Sequence, residues 1–333
     1  MTNRSTTQSL AKESAPPVAE RLSSEPFESR CLARNDLSHI YFEGAVRPAR
    51  PCGRKRPVVQ PSSRVGEGHL AQVAGKQQEL DLEAPPDPFL AWLLGRFGLD
   101  ASAYRSAALT RRLPSCLRQL HVSTAGEAKA ALELRPELLG PVLNTVLIGV
   151  TEFFRDRQVF EYLRDGLLPQ LSVSTRGLRV LSAGCSDGQE LYSVAMLLEG
   201  LGALEGSELV GIDCRAAAID RARGGLFDAR ETAGLATLLS SAHARAGVPP
   251  ALRERCRWHV GDLLSCDLGK GWDIILCRNV AIYLNAAHAE RLWARLTSAL
   301  APGGVLVLGR VEKPPPSLPL VRVAASVYRR TGE

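Results

Sequence analysis

The feature that most constrains this chain is an alternation of short apolar runs and amphipathic segments that begins near residue 178. Residues 179–184 (RVLSAG) read as a buried strand, 189–200 as a helix, 208–213 as a second strand and 216–225 as a helix behind it. Further strands are expected at 257–262, 272–277 and 305–309. A helix at 286–300 lies between the last two, stopped by the APGG of 301–304. Strands that alternate with helices are covered on both faces, which predicts an α/β, doubly wound, mostly parallel sheet. Ligands of such sheets sit at the carboxyl ends of the strands, near the switch point.

The chain before this alternation divides in two. Residues 85–165 carry apolar positions at helical spacing, as in PFLAWLLGRFG with its closing Gly98, and read as a small all-helical N-terminal domain. Residues 166–333 then form the sheet domain. Residues 1–84 are rich in Ser, Pro, Arg and Glu without a sustained period, and 46–64 is basic and broken by prolines. Such a segment buries too little apolar surface to offset its ordering entropy, so it reads as a disordered basic tail.

Composition excludes several classes. The 333 residues contain eight cysteines without a CxxC pair, and the histidines show no HExxH, so no metal site is expected. The cysteines read as free thiols in a reducing compartment. The stretch 138–150 is too short and too interrupted to span a bilayer, and the N-terminus lacks a signal-peptide core. A cytoplasmic protein without membrane insertion is expected. A net charge of +6 is a mild bias toward an acidic partner, and no nucleic acid is expected.

The first strand runs into Gly184, Cys185, Ser186, Asp187, Gly188, Gln189 and Glu190. Small residues there admit a ligand to the backbone and to the N–H groups of the next helix. Asp213 ends the second strand, where a carboxylate can accept from both hydroxyls of a ribose. The glycine spacing differs from the dinucleotide GxGxxG, so an adenosine ligand without a diphosphate, S-adenosylmethionine, fits best. Asp213 could instead cap the following helix, the less favoured reading. Arg155 and Asp156 could form a helix-end ion pair, and Phe153 and Phe154 read as core.

Four motifs then occur in one order: TEFFRD at 151–156, AGCSDGQELYSVAM at 183–196, GID at 211–213 and CRNVAIYL at 277–284, followed by LAPGGVLVLGRVE at 300–312. With them, residues 87–330 resemble the CheR-type chemoreceptor glutamate O-methyltransferases. The resemblance implies a class I S-adenosylmethionine-dependent methyltransferase fold, with a seven-stranded sheet that ends in an antiparallel hairpin. Residues 320–330 suit one strand of that hairpin.

It also implies roles for particular residues. Thr151 and Arg155 would reach the cofactor from the helical side, Glu190 would meet its amino acid portion, and Asp213 its ribose. Asp262 and Leu263 would edge the adenine, and Arg278 and Asn279 complete the cofactor set with Gly184. Arg155 and Tyr283 would stand at the reacting methyl group and orient the incoming carboxylate. Tyr104, Arg105, Arg111, Arg112 and Arg118 match the basic face that this family presents to acidic cytoplasmic helices of a receptor. Pro114 should break any single helix through them.

The chain departs from the family pattern at several positions. Gly149 stands where asparagine is common, Gln189 and Leu191 replace the Glu and Pro of GEEPYS, and Arg310 and Val311 replace the His and Ser before Glu312. The stretch 228–257 lacks the strand pattern of the β subdomain often inserted there, so that subdomain is expected to be reduced or missing. Two other readings stand beside the enzyme: a non-catalytic cofactor-binding regulator, and a methyltransferase for small carboxylic acids.

Overall fold

A computed structural model describes residues 85–173, 177–228, 230–232 and 247–332. The tail expected at 1–84, and residues 229 and 233–246, half of the stretch expected to lack the β subdomain, lie outside the described residues.

The helical layer comprises α1 (Pro88–Gly95), α2 (Ser106–Thr110), α3 (Leu113–Leu120), α4 (Ala125–Leu134) and α5 (Leu139–Val146). Asp87 starts α1 by accepting from the N–H groups of Phe89 (2.9 Å) and Leu90 (3.2 Å), with Pro88 at the first helical position. Thr124 Oγ1 caps α4 through the Glu127 N–H, and Glu127 reaches back to the Ser123 N–H at 2.8 Å. This is a close variant of the capping box. Phe89, Leu90, Leu93, Leu94, Leu132 and Leu143 close a core of their own. As the proline required, the basic stretch is broken: Arg111 and Arg112 lie in the turn between α2 and α3, and Pro114 sits in the first turn of α3.

Helices α6 (Arg157–Tyr162) and α7 (Leu168–Leu171) follow, joined by a wide turn at Leu163–Leu167. Phe153, Phe154, Phe160, Leu163, Leu167 and Leu168 pack into the core of the sheet, whereas the core of the helical layer ends at Val146. By packing, the residues from Phe153 onward go with the sheet, although 85–165 read together as helical in the sequence. Texture marks helices, and α6 is a helix whose apolar face belongs to the sheet.

The sheet has seven strands: β1 (Arg179–Ala183), β2 (Glu208–Asp213), β3 (Cys256–Val260), β4 (Trp272–Cys277), β5 (Leu300–Leu308), β6 (Leu320–Ala324) and β7 (Val327–Arg330). Their order is β3-β2-β1-β4-β5-β7-β6, parallel from β3 to β5 and antiparallel from β5 through β7 to β6. This is the fold class expected. Helices α8 (Gln189–Gly200), α9 (Ala216–Gly224), α10 (Pro250–Arg255) and α11 (Ala286–Ala299) complete it. Side chains alternate between two cores. Val180, Ile274, Leu276, Val305 and Val307 face α8, while Leu181, Ile275, Cys277, Leu306 and Leu308 face α11.

Two strand boundaries differ from expectation. The helix α11 ends at Ala299, directly before APGG as expected, but 301–304 is already part of β5, where the register with β4 shifts between Trp272 and Ile274. Buried Leu300 pairs with Trp272, which pulls the segment into the sheet. Residues 320–330 hold both strands of the hairpin, because Ser326 adopts φ 61° and turns the chain between β6 and β7.

Candidate active site

A cleft opens at the carboxyl ends of β1, β2 and β4, and the residues expected to hold the cofactor or stand at the reacting methyl group line it. Thr151 and Arg155 come from the segment after α5, Gly184 and Glu190 from the β1–α8 turn, and Asp213 from the end of β2. Asp262 and Leu263 follow β3, and Arg278, Asn279 and Tyr283 follow β4. The helical layer adds Tyr104, Arg111 and Arg112, whereas Arg105 and Arg118 are exposed and do not line the cleft. The arginines at seven-residue spacing thus do not share one face; the break at 111–112 turns two of them toward the site.

Backbone constraint concentrates here. Phe154, Asp156, Ser186 and Asn279 all have φ between 51° and 61°, conformations that L residues adopt at a cost when tertiary contacts impose them. Gly184 has φ +80°, and a Cβ on it would overlap the Val280 side chain, so the turn requires glycine.

Three carboxylates organise the walls. Asp213, 7% exposed, accepts from the Ser186 N–H at 2.9 Å, the Arg215 N–H at 3.0 Å and Arg215 Nε at 3.1 Å. Its role is therefore not a side-chain cap of α9, whose cap residue Arg215 has none. Glu190 accepts from Ser182 Oγ at 2.8 Å and from Arg278 Nη1 at 3.2 Å. Arg278 Nη2 also donates to Asp156 Oδ2 at 2.6 Å and to the Arg155 carbonyl at 2.7 Å. Asp156 thus pairs with Arg278 across the site, in place of the helix-end pair with Arg155. Arg155 Nη1 instead donates to the Val150 carbonyl at 2.7 Å.

The third carboxylate, Glu312, had been noted only as a family position. Its Oε1 accepts from the N–H groups of Val280 (2.9 Å) and Ala281 (2.8 Å), and its Oε2 from those of Asn279 (2.7 Å) and Gly309 (2.8 Å). It fixes the loop that presents Asn279 and Tyr283. Asp262 acts more locally: it accepts from the Leu264 N–H at 3.0 Å and from Ser265 Oγ, shaping its own turn. Phe153 and Phe154 are core, as expected, at 2% and 3% exposure.

Titration narrows the chemistry. Burial pushes the Cys214 thiol up to about 12, so it stays protonated at neutral pH and offers no thiolate nucleophile. Burial likewise raises Cys185 and the Tyr104 hydroxyl, which face the same cleft.

The CheR methyltransferase, SAM binding domain model matches residues 149–321. A chemotaxis protein methyltransferase of Listeria monocytogenes is 32% identical over 222 residues, 65% of this chain and 85% of that protein. Chemotaxis protein methyltransferase 1 of Pseudomonas aeruginosa is 30% identical over 245 residues, 67% of this chain and 88% of that protein. The probable biofilm formation methyltransferase WspC of the same species is 30% identical over 267 residues, 74% and 62% of the two chains. The chain belongs to the CheR methyltransferase family. Its cofactor is S-adenosylmethionine.

The cleft suits that cofactor on its own geometry. Gly184 leaves the backbone of the β1–α8 turn open, and Asp213 stands beside it with lone-pair capacity on Oδ2. Asn279 lines the cleft as well, its side-chain Oδ1 buried without a hydrogen-bond partner. The family departures fall unevenly around this site. Arg310 and Val311 are exposed and line no part of it, and Leu191 is fully buried in the core. Gln189 is buried with Oε1 unpartnered. Gly149 lines the cleft.

Proposed function

We propose that this protein transfers a methyl group from S-adenosylmethionine to glutamate side-chain carboxylates of a receptor protein, forming methyl esters. The observation that carries this reading is the joining of two sets of residues in one cleft. Asp213, Gly184 and Asn279 line it together with Arg111, Arg112, Arg155 and Tyr283. An acidic cytoplasmic helix of a receptor is the partner that such cationic residues would attract.

Bound S-adenosylmethionine supplies an electrophilic methyl group on a positively charged sulfur. The acceptor carboxylate arrives ionised at pH 7, since a glutamate titrates near ~4.3, so no general base is required. The protein's contribution is to hold the acceptor and exclude water, and alignment of this kind can be worth ~7–11 kcal/mol. Within this reading Arg155 and Tyr283 orient the incoming carboxylate. Thr151, Glu190, Asp213, Asp262, Leu263 and Arg278 form or support the cofactor's walls.

The test is release of methanol, by base hydrolysis, from receptor cytoplasmic fragments incubated with methyl-labelled S-adenosylmethionine. Base-labile label on glutamates of the fragment is expected. Binding of S-adenosylmethionine without label transfer to any acidic helical fragment would move the protein to the cofactor-binding regulator reading.

A further inference from the structure

We propose that Arg215 and Gly149 are one paired adaptation of the cofactor site, in which Arg215 is a positioning residue that takes the place of a side chain at 149. The proposal rests on the reading of Asp213 as a cofactor-binding carboxylate.

Arg215 occupies a position where another residue type is favoured. It is the cap residue of α9, with φ −96° and ψ 110°, where serine, threonine, aspartate or asparagine would normally satisfy a helix N–H. Its side chain makes no such bond. It turns inward instead, and the residue is only 8% exposed. A buried guanidinium is costly unless it is paired and hydrogen-bonded, and here it is both. Nε meets Asp213 Oδ1 at 3.1 Å, and Nη2 donates to Ser186 Oγ at 2.9 Å. Ser186 Oγ donates in turn to the Gly149 carbonyl at 3.1 Å. One chain of bonds thus links the end of β2, the β1–α8 turn and the segment that carries Thr151 and Arg155.

Gly149 is what makes room for it. A Cβ built at 149 would lie 2.6 Å from Arg215 Cζ and would overlap Nη2 and Ser186 Oγ. A side chain at 149 would have to displace the inward guanidinium of Arg215 and the Ser186 hydroxyl and so break the bonds just described. The asparagine common at this position in the family and Arg215 are therefore alternatives, and the missing amide is no simple loss. Arg215 also leaves Asp213 constrained: three donors already occupy it, which leaves its remaining acceptor capacity on Oδ2, the oxygen shared with Ser186.

A double-mutant cycle on the full chain tests this. Affinity for S-adenosylhomocysteine is measured by calorimetry, and ligand-free thermal stability in parallel, for wild type, Gly149→Asn, Arg215→Ala and the double variant. Each single variant should weaken binding by about ten-fold or more, the scale of a lost charged hydrogen bond. Gly149→Asn should also lower the melting temperature. The double variant should regain affinity to within about three-fold of wild type and recover the melting temperature, because the amide then fits the space left by the guanidinium. Additive losses in the double variant, or unchanged affinity in Arg215→Ala, would overturn the pairing. If wild type itself fails to bind, the cofactor reading of the cleft and the role given to Arg215 in it both fall. The melting temperatures then still decide whether 149 and 215 exclude each other.

Discussion

At the scale of single residues the site is a set of charges held by specific partners. Arg155 spends one nitrogen on the Val150 carbonyl, which bends its side chain back along the segment that frames the cleft. Arg155→Ala should therefore reduce turnover far more than cofactor affinity, about 100-fold against less than ten-fold, if its work is positioning an acceptor. Equal losses in kcat and in calorimetric affinity would remove that role. Glu190 supplies a pH signature. Burial pushes its carboxyl above the ordinary 4.5, with Arg278 and the Ser182 hydroxyl acting against the rise. The folded state then holds the proton more tightly than the unfolded chain. Its stabilising contribution is present below pH 4.5 and is lost as pH rises through the folded value. The difference in unfolding free energy between wild type and Glu190→Gln should fall across that acidic window and level off toward neutrality. Urea titrations at a series of pH values read this directly.

At the scale of elements, the loop after β4 depends on a residue far along the chain. Glu312 holds four backbone N–H groups of residues 279–281 and 309. Truncation by Glu312→Ala leaves these donors buried without an acceptor and should cost about 3 kcal/mol or more. Glu312→Gln keeps one oxygen, enough for two of the four, and should lose less. Denaturant midpoints rank the two variants, and weaker S-adenosylhomocysteine binding should follow the same order because Asn279 and Tyr283 ride on this loop. Elements were the scale at which the sequence was most readable. The strands at 179–184, 208–213 and 272–277 follow from apolar runs alone, and the break before α3 from Pro114. The hairpin was harder. An apolar stretch from 320 to 330 reads as one strand until Ser326 turns it, and nothing in its side chains marks a left-handed turn. The same blindness hid the β5 start, where Leu300 joins the sheet because Trp272 lies across from it.

At the scale of the whole molecule, the helical layer meets the β4 side of the cleft through a short set of bonds. The Arg105 N–H donates to the Tyr283 carbonyl at 2.9 Å, and the Asn285 N–H to the Ala103 carbonyl at 2.9 Å. Tyr104 bridges to Leu284 beside them. This contact brings Arg111 and Arg112 to the same cleft as Asp213. If the acceptor is an acidic helix, KM for it should climb several-fold between low and physiological salt, as screening weakens the encounter. Cofactor affinity, governed by buried contacts, should change little over the same range. The double variant Arg111→Ala/Arg112→Ala should flatten the salt dependence of KM, and steady-state assays at three ionic strengths suffice to see it.

What the sequence by itself determined about this protein is local. The strand and helix periods, the turn glycine at 184, the carboxylate at the end of β2 and the ordered motifs that mark the family each depend on near neighbours along the chain. Only the tertiary structure decided who partners whom. Arg278 bridges Glu190 and Asp156, Glu312 clamps the 279–281 backbone, and Arg215 fills the space beside Gly149. Each pair joins residues tens of positions apart, brought together by parallel crossovers, and no local pattern encodes that distance. Arg215 shows the same dependence: a residue ill suited to a helix cap is held there by contacts that only the fold supplies.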